Sequence, residues 1–273
     1  MTFLTTEDGR TIYYDLKGDE DSPYLLLISG LTNNHTIWSD MVNELAGYFR
    51  VILMDNRGAG QSSQDQVSFT IDDMANDCKQ LLDYLDVGLA CVVGHSMGGM
   101  IAQAFCAQYP ESVLWLMLVS TAAKPPEHAI WQILGRVNVK RQLDVDSVLN
   151  LSFPWLYGNQ VLADKDKVEQ EKARAKNDPY PQTLQGYQAQ ANAIAQFDAR
   201  DQLDKIQKPT LVLAGEDDLL IPAKVSKEQL ADQLPRAKFD TLSNCGHMLA
   251  REKPAAFAKR ITEFHFLEWL SMK

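Results

Sequence analysis

One serine stands in a sequence context that is typical of a nucleophile. Ser96 lies between Gly94 and Gly98, so that the sequence reads Gly-x-Ser-x-Gly, the pattern of a nucleophile elbow. A serine at a sharp turn from strand to helix needs small neighbours, because the backbone there is strained and closely packed. A hydroxyl alone is a weak nucleophile. The motif therefore predicts acyl transfer and requires a histidine base and an acid elsewhere in the chain.

Two residues further along the chain suit those roles. Asp218 lies in a loop just after an apolar run, and His247 lies in the loop after the next run, directly behind Gly246. The predicted roles are attack by Ser96, proton transfer by His247, and orientation of the imidazole by Asp218. The neighbouring Asp217 is the alternative acid. The chain order of serine, aspartate and histidine is the order found when this elbow lies on an α/β sheet.

Two backbone amides are predicted to bind the oxyanion that forms when the serine attacks. One is the amide of Met97, directly after the nucleophile. The other is the amide of Leu31, just past the apolar run that ends at Ser29-Gly30. Amides in these two places form the oxyanion hole of enzymes with this elbow.

The elements that must position these residues follow from the hydrophobic pattern. Short apolar runs typical of buried strands cover residues 10–16, 24–28, 50–54, 91–93, 113–119, 209–214 and 237–242. Helical spacing of apolar residues covers 38–45, 71–85, 97–109, 225–234 and 254–270, and Thr70 with Asp73 forms a variant capping box before the second of these. Strands that alternate with helices predict an α/β fold with a mostly parallel sheet.

The alternation stops after Ser120. Residues from about 122 to 200 hold helical patterns and no convincing strand. We therefore expect one domain, with an α/β core formed by residues 1–121 and 201–273 and a helical cap inserted at residues 122–200.

Aromatic residues of the predicted cap are candidates for a substrate pocket. Trp131, Trp155 and Tyr157 could line an apolar pocket for the acyl group, and packing within the cap is the alternative. Two other groups have a structural interpretation. His95, beside the serine, is predicted to support the elbow, and Asp55 with Arg57 is predicted to stabilise a turn.

Composition restricts the class of protein. The 273 residues are 45% hydrophobic and 23% charged, as in an ordinary globular protein. The net charge of −10 disfavours nucleic acid and anionic membranes as partners. The four cysteines show no paired spacing and are predicted to be buried in a reducing compartment. No metal or nucleotide motif is found, so neither a metal nor a cofactor is predicted.

The expected location is cytoplasmic. No apolar run reaches the roughly 18 residues that span a bilayer, and the first residues do not have the pattern of a signal peptide.

Over essentially its whole length the chain resembles the α/β-hydrolase superfamily. The matching strings are Ser29-Gly30 with Trp38, residues 55–62, residues 94–99, residues 215–218 with Pro222, and Gly246-His247. Within the superfamily the chain is similar to small esterases and lactonases, in particular to 3-oxoadipate enol-lactonases.

This resemblance implies an α/β-hydrolase fold and cleavage of a carboxylic ester or lactone without a cofactor. The spacing of the family's acid selects Asp218 over Asp217. The chain departs from the family at Ser29, where a histidine is usual, and the effect of that change is open. A serine at position 96 also disfavours the dehalogenases and epoxide hydrolases, whose similar elbow carries a carboxylate.

Several functions remain open on the same three residues. They are carbon–carbon bond hydrolysis, methyl-ester hydrolysis on a carrier-bound acyl chain, and cofactor-free perhydrolase chemistry. A ligand-binding receptor that has kept the fold is the alternative of another class, because a fold alone does not give a function. The small-molecule substrate is not identified by the sequence, nor is the choice between monomer and homodimer.

Overall fold

The protein is described by a computed structural model over residues 2–65 and 68–271. These residues form an eight-stranded sheet in the order β1-β2-β4-β3-β5-β6-β7-β8. The strands are β1 (Thr2–Thr5), β2 (Thr11–Lys17), β3 (Tyr24–Ile28), β4 (Arg50–Met54), β5 (Ala90–His95), β6 (Val113–Val119), β7 (Thr210–Gly215) and β8 (Ala237–Leu242). Pairs β1–β2 and β2–β4 are antiparallel, and the strands from β4 to β8 along the sheet are parallel.

Helices connect the strands and cover both faces of the sheet. They are α1 (Val42–Leu45), α2 (Ile71–Tyr84), α3 (Met97–Gln108), α4 (Glu127–Gln142), α5 (Val145–Leu156), α6 (Asn159–Leu162), α7 (Lys165–Lys176), α8 (Leu184–Gln196), α9 (Ala223–Ser226), α10 (Leu249–Glu252) and α11 (Pro254–Ser271). Short 3-10 turns lie at His35–Trp38, Pro110–Ser112 and Arg200–Lys205, and a π-turn at Lys227–Ala231. In the described residues no helix is long and apolar enough to cross a membrane.

The strands are apolar on both faces because each face is covered by helices. Leu26 and Ile28 of β3 pack into the core on the side of α2 and α3, whereas Leu25 and Leu27 pack into the core on the side of α1 and α11. This alternation follows from the two-residue repeat of a strand. The predicted α/β fold with a mostly parallel sheet is therefore confirmed.

The predicted elements differ from the structure at three places. β1 was not predicted, because a four-residue edge strand with three exposed positions has little hydrophobic pattern. The single helix predicted over 225–234 is a short α-turn followed by a π-turn. The helix predicted over 38–45 is a 3-10 turn followed by the four residues of α1. The capping box of Thr70 and Asp73 is present, with both hydrogen bonds formed.

All residues between β6 and β7 are described, and they hold the five helices α4 to α8 without a strand. We call α4 to α8 the cap segment. The division of the chain into a core and an inserted cap at residues 122–200 stays a prediction.

Candidate active site

The turn between β5 and α3 places Ser96 in a conformation that L-residues rarely adopt. Its φ is 57° and its ψ is −120°. A Cβ atom on Gly94 would overlap the carbonyl of Gly98, and one on Gly98 would overlap the carbonyl of Ile28 in β3. Only glycine fits at either position, because the turn packs directly against neighbouring backbone. The spacing of the two glycines in the sequence therefore has a steric cause.

A continuous hydrogen-bonded chain starts at this serine. The Ser96 Oγ lies 2.9 Å from Nε2 of His247, and Nδ1 of His247 lies 2.8 Å from Oδ2 of Asp218. Because a carboxylate only accepts, Nδ1 carries the proton and Nε2 is left to accept from the hydroxyl. Asp218 and His247 are 3% and 2% exposed, whereas Ser96 is partly open. His247 is thus held in the tautomer whose Nε2 can accept the proton of the serine hydroxyl.

The structure separates the two adjacent aspartates. Oδ1 of Asp218 accepts the amides of Leu220 and Ile221, both at 2.9 Å, so that its other oxygen faces His247. Asp217 instead accepts the backbone amide of Asn159 at 3.1 Å. Asp218 is therefore the acid that contacts the histidine.

The loop that carries His247 is fixed by contacts that the sequence did not reveal. The carbonyl oxygen of Leu156, at the end of α5, accepts the His247 amide at 2.8 Å. The Glu252 carboxylate accepts the amides of Gly158 and Gly246, each at 2.9 Å. Burial raises the pKa of Glu252. The cap segment and α10 thus both position His247.

The two amides predicted to bind an oxyanion lie on either side of the serine. A Cβ atom on Gly30 would come within 2.9 Å of the Ser96 Cβ, so the end of β3 directly adjoins the elbow. Leu31 is the next residue. Met97 is the first residue of α3, and an amide at that position has no carbonyl partner within its helix. The assignment of both amides as the oxyanion hole stays a proposal.

Ser29, the position at which the resemblance to the family leads us to expect histidine, contributes to the loop after β3. Its hydroxyl donates to the carbonyl oxygen of Asn33 at 3.2 Å, and its own carbonyl oxygen accepts from the Asn56 side chain at 2.9 Å. These bonds connect the loop that contains Leu31 to the end of β4.

The other polar groups near the elbow make structural contacts. The Asp55 carboxylate accepts the amides of His35 and Gln61, at 2.6 Å and 2.8 Å. Arg57 donates two hydrogen bonds of 2.6 Å to the buried Asp77. These pairs fix the turn after β4, as the sequence predicts for Asp55 and Arg57. Cys78, Cys91, Cys106 and Cys245 are all buried and free.

A cavity of about 870 Å³ lies between the cap segment and the core. Thr32 and Met248, each next to a residue of the candidate site, form part of its wall. Tyr157 lines this cavity, and its hydroxyl donates to Glu171 at 3.1 Å. Phe153 and Leu156 add apolar surface.

The two predicted tryptophans are not in the wall of this cavity. Trp131 is 76% exposed on the outer side of α4, because an aromatic residue in a helix does not by itself show which face turns inward. Trp155 stacks on the ring of His128, with centroids 6.2 Å apart. Their predicted role as substrate-pocket residues stays a prediction, and of the three residues Tyr157 is the one that lines this cavity.

The sequence profile of the alpha/beta hydrolase fold matches residues 23–254. The match covers most of the chain and includes the elbow, the acid and the histidine. The chain belongs to the α/β hydrolase family. Membership of this family makes the protein a hydrolase. The sheet order and the serine elbow described above agree with that assignment.

Relatives in this family share about a quarter of their residues with the chain. A protein provisionally named carbamate hydrolase RutD, from Caulobacter sp. (strain K31), is 28% identical over 95% of this chain and 96% of its own. The 3-oxoadipate enol-lactonase 2 of Acinetobacter baylyi is 27% identical over 93% and 92%. Among solved structures, a thermophilic esterase from Thermogutta terrifontis, with malate bound, is 26% identical. It covers 98% of both chains with a TM-score of 0.85.

Proposed function

We propose that this α/β hydrolase cleaves a carboxylic ester or lactone through an acyl-enzyme on Ser96. The observation that supports the proposal most directly is the unbroken chain from Ser96 Oγ through His247 to Asp218, with distances of 2.9 Å and 2.8 Å. Such a chain activates a hydroxyl that would otherwise be a weak nucleophile.

In the first half-reaction Ser96 Oγ attacks the carbonyl carbon of the substrate, while Nε2 of His247 takes the hydroxyl proton. The Asp218 carboxylate stabilises the imidazolium that forms. The carbonyl oxygen becomes an oxyanion, which the amides of Leu31 and Met97 bind. The bond from the carbonyl carbon to the alcohol oxygen then breaks, and His247 returns its proton to that oxygen.

In the second half-reaction water replaces the alcohol. His247 removes a proton from the water as its oxygen attacks the acyl carbon, and the bond to Ser96 Oγ breaks. The serine regains its proton and the acid product leaves. One water is consumed for each ester bond cleaved, and a lactone opens to a hydroxy acid.

The two amides of the oxyanion hole supply much of the rate. A donor that is fixed before the reaction contributes roughly 3–4 kcal/mol to transition-state stabilisation in favourable cases. Position 97 at the start of α3 adds the positive end of the helix dipole. The contacts of Ser29 with Asn33 and Asn56 hold the other donor in place.

The similar proteins support the choice of bond. The relative from A. baylyi is named as an enol-lactonase, and the solved structure from T. terrifontis is named as an esterase. Both names describe attack on an acyl carbon bonded to oxygen. The cavity beneath the cap segment is of a size that holds a small organic substrate.

The proposal is tested with p-nitrophenyl esters of increasing acyl length, for the wild type and Ser96→Ala in parallel. We expect hydrolysis by the wild type, loss of at least about 10³-fold in kcat for the variant, and a length optimum that reports the size of the cavity. Full turnover by Ser96→Ala would contradict the mechanism. Ligand binding without turnover by either protein would instead favour a receptor.

A further inference from the structure

Helix α4 of the cap segment brings two cationic side chains to the cavity. Arg136 and Lys140 are one helical turn apart, and both line the cavity wall. Both side chains are partly buried. Nη2 of Arg136 is buried with no hydrogen-bond partner in the described part of the chain. Among the ion pairs of residues 2–65 and 68–271, none includes Arg136 or Lys140.

The other charged groups of the same wall have protein partners. Asp40 accepts from Arg174 at 2.6 Å and from Arg251 at 3.2 Å. Glu171 accepts from the Tyr157 hydroxyl, and Asp178 accepts the Asn34 amide group on both of its oxygens at 3.0 Å. Within the described residues, the cations of α4 are thus the ones in this wall that have no ion-pair partner.

This arrangement is costly for the folded protein unless something else supplies negative charge. Like charges one turn apart on a helix repel, and a buried charge without a partner loses hydration that nothing replaces. Burial lowers the pKa of the Arg136 guanidinium. Burial and, to a smaller extent, the positive charge of Arg136 lower the pKa of the Lys140 amine. Lys140 Nζ lies 4.8 Å from the centroid of the Tyr187 ring, a contact that compensates for only part of the loss.

We propose that Arg136 and Lys140 bind a carboxylate of the substrate, so that the enzyme acts on monoesters or lactones that carry a second, free carboxylate. The inference rests on the proposed function, because it names the substrate class of the same site. The apolar side chains of Leu149, Phe153 and Leu156 also line the cavity. They offer apolar surface to a hydrocarbon spacer of such a substrate.

A singly charged carboxylate fits this end of the cavity better than a phosphate group does. The planar guanidinium of an arginine matches the two oxygens of a carboxylate. Asp178 in the same wall has no cationic partner among the described residues and would oppose a dianion. The net charge of −10 repels anions from the protein as a whole, so a local pair of cations is needed to admit an anionic substrate.

The kinetic test compares a charged ester with a neutral ester of similar length. The substrates are mono-p-nitrophenyl glutarate and p-nitrophenyl hexanoate, and the measured quantity is the ratio of their kcat/KM values. We expect Arg136→Met to lower that ratio by at least about tenfold, the size of a lost charge-assisted hydrogen bond, and Arg136→Lys to restore part of it. The matched control is Arg141→Met, which removes an exposed arginine of the same helix that bonds Gln188.

A binding test decides the inference even if the enzyme cleaves neither ester. Monomethyl glutarate, which has one carboxylate, and the neutral dimethyl glutarate are titrated calorimetrically into Ser96→Ala. We expect the monoester to bind at least about tenfold more tightly, and expect the preference to disappear when Arg136→Met is added. Equal binding of the two ligands, or a preference that survives Arg136→Met, would overturn the inference. If the wild type hydrolyses neither ester but Ser96→Ala still binds the monoester more tightly than the diester, the result would count against the catalytic proposal alone.

Thermal unfolding separates binding from a structural role. Because the buried Nη2 of Arg136 has no hydrogen-bond partner in the described structure, Arg136→Met should leave Tm equal to or above that of the wild type. A fall in Tm together with an unchanged preference for the monoester would assign the arginine to the fold and overturn the inference.

Discussion

His95 Nε2 lies 2.7 Å from the backbone carbonyl oxygen of His247. Because a carbonyl only accepts, the nitrogen carries a proton and donates it. The residue before the candidate nucleophile therefore holds the loop of the candidate base. Burial lowers the pKa of His95 to about 3, with a smaller contribution from the neighbouring His247. His95 is thus a neutral positioning residue in the folded protein at physiological pH.

This histidine predicts a pH dependence of stability. Its pKa is depressed in the folded state, so below its ordinary value of about 6.5 the unfolded chain binds a proton that the folded protein does not. The free energy of unfolding should fall as pH drops from 7 to 5. His95→Gln keeps a donor for the carbonyl oxygen. Its free energy of unfolding should fall less steeply with pH, with a slope smaller than that of the wild type by up to about 1.4 kcal/mol per pH unit. Urea denaturation at pH 7, 6 and 5 measures both slopes, and identical slopes would refute the assignment.

The adjacent aspartates predict opposite outcomes for the same substitution. Asp218→Asn leaves His247 without the carboxylate that fixes its tautomer and should reduce kcat by about 10³–10⁴-fold. Asp217→Asn is the matched control. Its side chain can still accept the Asn159 amide, and we expect activity within about threefold of wild type. Steady-state kinetics on one p-nitrophenyl ester compares the two. Similar losses in both variants would show that the acid is misassigned.

From the close packing around Gly98 we predict that a single added methyl group lowers the stability of the protein. In Gly98→Ala the new Cβ would overlap the carbonyl of Ile28, and we expect the free energy of unfolding to fall by at least about 2 kcal/mol. In the matched variant Gly135→Ala, in α4, the new Cβ would meet no atom of another segment within 4 Å. It should stabilise by about 0.5–1 kcal/mol, because alanine is the better helix former. Chemical denaturation checks both, and a neutral Gly98→Ala would mean that the elbow is less closely packed than described.

Glu252 predicts coupling between the cap segment and the base. Its two oxygens accept the amides of Gly158 and Gly246. In Glu252→Gln the side-chain NH₂ must face one of these N–H groups, so we expect a loss of about 1–3 kcal/mol in stability and a lower kcat. Glu228→Gln, an exposed residue paired only loosely with Lys224 at 3.6 Å, is the control. Unchanged Tm and kcat for Glu252→Gln would remove this coupling.

The sequence predicted the parts of the site that depend on local geometry. The elbow needs glycine at fixed distances from Ser96, and that requirement is visible as a motif. The order of serine, aspartate and histidine follows from the order of the strands. The hydrogen bonds now join all three residues, although their catalytic roles stay a proposal.

Contacts between distant segments were not predictable. Glu252 and Gly158 are 94 residues apart, and neither stands in a motif. The sequence did not show that Trp131 lies outside the cavity wall. Several faces of α4 carry apolar residues, so the hydrophobic periodicity does not identify the inner face of this helix. Arg136 and Lys140, by contrast, show their shared face through their spacing of four residues. What the sequence could not show is that neither forms an ion pair in the described structure.

The most direct test of the account is covalent trapping of the nucleophile. A fluorophosphonate loses fluoride when an activated serine attacks its phosphorus, and the phosphonyl group stays on the oxygen. We predict one adduct per chain, on Ser96 by peptide mass spectrometry, with loss of esterase activity in proportion to labelling. Ser96→Ala should show neither labelling nor hydrolysis. An adduct on another residue that abolishes activity, or full hydrolysis by Ser96→Ala, would contradict the account.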